Sequence, residues 1–84
     1  MMPQPSFDVQ DLIDELIAIG RGRGFVRASP FRADARTLEI GRALDRKGGM
    51  DMMRSVHDAV REIVGGGLSR ELDVAWDGIG DWLG

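Results

Sequence analysis

Met50-Asp51-Met52-Met53-Arg54-Ser55-Val56-His57-Asp58-Ala59-Val60-Arg61-Glu62-Ile63-Val64, closed by Gly65-Gly66-Gly67, is the stretch from which the fold class is read. Met53, Val56, Ala59, Val60, Ile63 and Val64 recur at intervals of three and four, which places them on one side of a helix. Asp51, Arg54, Ser55, Asp58, Arg61 and Glu62 fall on the other side. The three glycines stop the helix, because glycine adopts the left-handed backbone beyond a helix end without a Cβ clash.

The same punctuation extends outward along the chain. Glycine fills 12 of the 84 positions, about twice the usual ~7%, and it clusters at Gly20-Arg21-Gly22-Arg23-Gly24, Gly48-Gly49 and Gly65-Gly66-Gly67. Cutting at these clusters leaves four segments of helical length. The expectation is an all-α fold, a small bundle of about four short helices joined by Gly-rich turns. Residues 1–7 read as a flexible N-terminus and residues 8–84 as a single helical domain. Phe25-Val26-Arg27-Ala28 is the one strand-like run, and a lone short strand has nothing to pair with.

Upstream, the segment 8–19 carries Val9, Leu12, Ile13, Leu16 and Ile17 on one face. Asp8 suits the N-cap, Asp11 the N3 position of a capping-box variant, and Phe7 with Leu12 the hydrophobic staple. The next segment is less regular. Ser29-Pro30 reads as N-cap and N1 of a helix reaching Lys47, with Asp34 as a later alternative start. Over 30–47, Phe31, Ala35 and Leu38 share one side while Ile40 and Leu44 lie nearly opposite. Such a helix is either sandwiched between neighbours or bent near Gly41. Downstream, Leu68, Leu72, Ala75, Trp76 and Ile79 form a stripe on a fourth helix, expected to fray or end near Asp77 ahead of Gly78 and Gly80.

Composition narrows the chemistry. The chain has no cysteine, which excludes disulfides and thiolate metal sites. No apolar run approaches the ~18 residues of a membrane span. The first residues offer neither the basic nor the apolar region of a signal peptide. A cytoplasmic location and no membrane partner are therefore expected. The net charge is −3 but unevenly spread: residues 1–20 carry four acids and no base, 21–47 eight bases and three acids, 48–84 three bases and seven acids.

Gly20-Arg21-Gly22-Arg23-Gly24 follows a helix, has glycines at spacings of two and two, and lacks a Walker lysine, so it fails as a phosphate loop. Arg21, Arg23, Arg27, Arg32 and Arg36, interleaved with Phe25 and Phe31, could hold phosphates and stack on bases. Alternatively they pair with Asp11, Asp14 and Glu15 in the same fold. His57 is the only histidine and sits at the edge of the apolar face, the usual place of a half-buried structural side chain. Carboxylate rows Asp11, Asp14, Glu15 and Asp73, Asp77, Asp81 lack the loop of a calcium site. No catalytic residue, cofactor or metal site is expected, and the chain is read as non-enzymatic.

The ending Trp76-Asp77-Gly78-Ile79-Gly80-Asp81-Trp82-Leu83-Gly84 is the most unusual stretch, because tryptophan is enriched at binding hot spots. Trp82 and Leu83 must either fold back on the core or be covered by another molecule. Trp76, Ile79, Trp82 and Leu83 are thus the candidate partner-binding residues. The function expected is a protein–protein interaction or assembly module, self-associating or with a heterologous protein. The alternative is a small nucleic-acid-associated or regulatory protein using the Arg-rich 21–36 segment.

Overall fold

A computed structural model describes residues 8–22 and 30–83, and among these the chain is helical without a strand. Helix α1 spans Val9–Gly20, α2 is the single turn Pro30–Ala33, α3 runs Ala35–Val64 and α4 Gly66–Trp76. The expected small helical bundle is the fold found. Arg23, Phe25, Arg27, Ser29 and the 1–7 segment with Phe7 lie outside the described residues.

Helix α1 starts where its acids predict. The Asp8 side chain accepts from the Gln10 N–H at 2.9 Å, satisfying one of the free donors of the first turn. Leu16 and Ile19 are fully buried, with Val9, Leu12, Ile13 and Ile17 packed against the core beside them.

The region 30–47 resolves differently from a single doubly apolar helix. Asp34 breaks it, adopting extended backbone and accepting from the Arg36 N–H at 2.9 Å as the N-cap of α3. Phe31 therefore belongs to the separate turn α2, where it is buried. Over residues 35–48 of α3 the buried positions are Thr37, Ile40, Gly41 and Leu44, a single face, while Ala35 is exposed and Leu38 half-buried. The sandwiched reading came from joining two elements across Asp34. Nor does the helix bend at Gly41: its one non-helical residue is Gly49, with φ 66° and ψ −156°. That conformation is essentially confined to glycine, and it divides α3 into two arms, 35–48 and 50–64.

The second arm presents the stripe expected of it. Met53, Val56 and Val60 are fully buried, whereas Ile63, at its end, is 53% exposed. Gly65 closes α3 with φ 89°, its N–H donating to the Arg61 carbonyl at 2.9 Å, and α4 returns across both arms. Leu72 and Trp76 of α4 reach the centre of the core, and α4 ends at Trp76 with Asp77 as its C-cap, as its glycines imply. Two glycines mark close approaches. A Cβ at Gly20 would lie 2.6 Å from Phe31 Cζ, and one at Gly41 would lie 2.6 Å from Trp76 Nε1. No helix among the described residues is long and apolar enough to cross a membrane.

Candidate functional site

The C-terminal turn determines where the tryptophans go. Beyond α4, the Ile79 N–H donates to the Trp76 carbonyl and the Trp82 N–H to the Ile79 carbonyl, both at 3.0 Å. The Gly78 N–H closes the loop on the Trp82 carbonyl at 3.0 Å. Gly78 and Gly80 take positive φ within these tight turns. The chain thereby doubles back and carries the Trp82 ring under α4.

The two indoles meet edge to face, with ring centroids 5.3 Å apart and planes at 86°, an arrangement favoured by aromatic quadrupoles. Each finds an acceptor for its N–H. Trp76 Nε1 donates to the Thr37 carbonyl at 2.9 Å, tying α4 to α3, and Trp82 Nε1 donates to the Asp73 carbonyl at 3.2 Å. Trp76 is fully buried, Trp82 is 5% exposed and Ile79 is 9% exposed. Of the four C-terminal candidates only Leu83 presents a surface, with 87% of it exposed.

His57 sits on the same cluster, its ring centroid 5.3 Å from that of Trp82 and 6.3 Å from that of Trp76. Its Nε2 lies 2.9 Å from the Ser69 carbonyl and 3.1 Å from Asp73 Oδ1. A carbonyl only accepts, so Nε2 carries the proton and donates. The histidine thus joins α3 to α4. The edge-of-face position was legible in the sequence; the partners were not, because they stand on another helix.

Of the arginine set read from the sequence, Arg36 is committed to the fold. Its Nε donates to Glu15 Oε2 at 2.7 Å and its Nη2 to Glu15 Oε1 at 3.2 Å, with Glu39 at 3.6 Å. The hydrogen bond to Glu15 raises the Arg36 pKa, against some desolvation, and the charges of Glu15 and Glu39 add to it. Arg21 and Arg32 are exposed, and Arg23 and Arg27 lie outside the described residues. The structure gathers a different set. Arg54, Arg61 and Arg70 are all exposed, and none makes an ion pair or side-chain hydrogen bond among the described residues.

These arginines border a continuous depression over His57. One part, about 260 Å³, is lined by Met50, Arg54, His57, Asp58, Arg61, Asp73, Trp82 and Leu83. The adjoining part, about 450 Å³, adds Ser69, Arg70 and Val74. In sequence, Arg54 and Arg61 stand on the solvent face of their helix with no motif to mark them. Arg70 joins them only through the fold, sixteen residues after Arg54 in the chain. Among the described residues, no group of three or more His, Asp or Glu side chains is placed to share a metal ion.

No known family model, curated protein or solved structure matches this chain.

Proposed function

We propose that this chain is a non-enzymatic protein-interaction module whose binding surface lies beside, rather than through, its tryptophans. The carrying observation is the exposure of Leu83, 87%, directly next to a depression floored by His57 and Trp82. Beside it the two indoles are packed and hydrogen-bonded within the fold, which makes them a scaffold for the surface around them. Val74 of α4, 44% exposed, lines the adjoining part of the depression, and Ile63 near the end of α3 is a further exposed apolar side chain at 53%. Methionine, tryptophan and arginine, all three present at this depression, are the residue types enriched at protein interfaces. His57 supports the non-enzymatic reading, since its Nε2 is engaged by Ser69 and Asp73 and its ring is covered by indoles.

The test is photo-crosslinking in cells, with a photoreactive amino acid replacing Leu83 and, separately, Ile63 and Val74. A discrete protein adduct at position 83 is expected, and an adduct of twice the chain's mass would identify the partner as a second copy. Absence of any protein adduct at all three positions, with the variants folded and expressed, contradicts the proposal.

A further inference from the structure

We infer that the depression over His57 receives a peptide segment carrying carboxylates beside an apolar side chain. The inference deepens the proposed function by stating what the partner presents, and it rests on that reading. Two arms of the fold create the site: the second half of α3 supplies Arg54 and Arg61, and α4 supplies Arg70. Three guanidiniums without ion-pair partners among the described residues border it. Elsewhere in the molecule Arg36 grips the Glu15 carboxylate through two of its nitrogens. The planar fork of arginine fits carboxylate in that manner. Leu83, largely exposed, and Trp82, nearly buried, supply the apolar contact.

The charge pattern selects peptide over nucleic acid. Asp58 and Asp73 line the same depression as the arginines. A polyphosphate track would pass over these carboxylates and be repelled, whereas a peptide can place separate carboxylates against the guanidiniums only. The net charge of −3 for the whole chain also opposes a polyanion.

The experiment pans a displayed library of random peptides against the full chain and against Arg54→Glu/Arg61→Glu, with a single-stranded DNA oligonucleotide titrated onto both. The substituted side chains are exposed and make no ion pair among the described residues, so the variant is expected to keep the helicity and unfolding temperature of the wild type. Enriched peptides should combine Asp or Glu with a large apolar residue. They should lose at least about tenfold in affinity on the variant and weaken as salt is added. Peptides that bind both proteins equally overturn this inference while leaving the interaction function standing. Neutral or basic peptides, no enrichment, or oligonucleotide binding that the variant abolishes each overturn it as well. Should the double variant unfold, Arg54→Gln and Arg61→Gln are assayed singly, and unchanged peptide affinity in both overturns it.

Discussion

Replacing Gly41 by alanine adds one methyl group where Trp76 of α4 lies against α3. The new Cβ would lie 2.6 Å from Trp76 Nε1 and 2.8 Å from both Trp76 Cδ1 and Ile79 Cδ1. The Ile79 methyl can give way, but Trp76 is fully buried and its Nε1 is bonded to the Thr37 carbonyl. Helix propensity favours alanine by about 1 kcal/mol. Against it stand about 1–3 kcal/mol of overpacking and about 1–3 kcal/mol if the buried indole N–H loses its acceptor. The net cost is then roughly 1–5 kcal/mol, a large share of the roughly 4–13 kcal/mol expected for a chain of this length. For a domain this small, each kcal/mol moves the melting temperature by about 4–8 °C. Thermal unfolding followed by circular dichroism should show Gly41→Ala melting well below the wild type. Gly67→Ala, in α4 with open space around the added Cβ, should melt higher, by up to about 1 kcal/mol of added stability. An unchanged or raised melting temperature for Gly41→Ala would refute the close packing of Trp76 on α3.

Other substitutions test separate parts of the account. Gly49→Ala forces a Cβ into backbone at φ 66° and ψ −156° and should cost about 1–3 kcal/mol in urea unfolding. Thr37→Val removes a buried hydroxyl that has no hydrogen-bond partner among the described residues, so stability should be unchanged or rise by up to about 1 kcal/mol, measured the same way. A double-mutant cycle on Glu15→Ala and Arg36→Ala should give a coupling of about 0.5–1 kcal/mol that shrinks with added salt, because the Arg36 side chain is 40% exposed.

Much of the fold was legible because its signals are local. Asp8 announces α1 through its own side chain, and the stripes of Met53, Val56, Val60 and of Leu72, Trp76 need only helical geometry. The break at Asp34 was one of two readings, and deciding between them required knowing that Phe31 packs on Gly20, a contact between separate elements. Gly20 and Gly41 look like helix stops or bends in sequence, yet each is a place where an aromatic ring from elsewhere comes close. Sequence distance hides such contacts. The same holds for the candidate site: Leu83 stands out in sequence as an apolar residue beside Trp82, whereas Arg54, Arg61 and Arg70 form a set only after α4 folds back on α3. Arg36 stood in the basic stretch by composition, but Glu15 claims it across the helix interface.

The central claim is that both tryptophans belong to the core of the single chain. Tryptophan emission and its quenching by acrylamide, recorded on the wild-type protein through serial dilution, test it most directly. The account predicts blue-shifted emission, weak quenching, and no change in either on dilution. Emission typical of a water-exposed indole, or a freely quenched fraction that grows on dilution, would contradict it and return Trp82 to an interface between molecules.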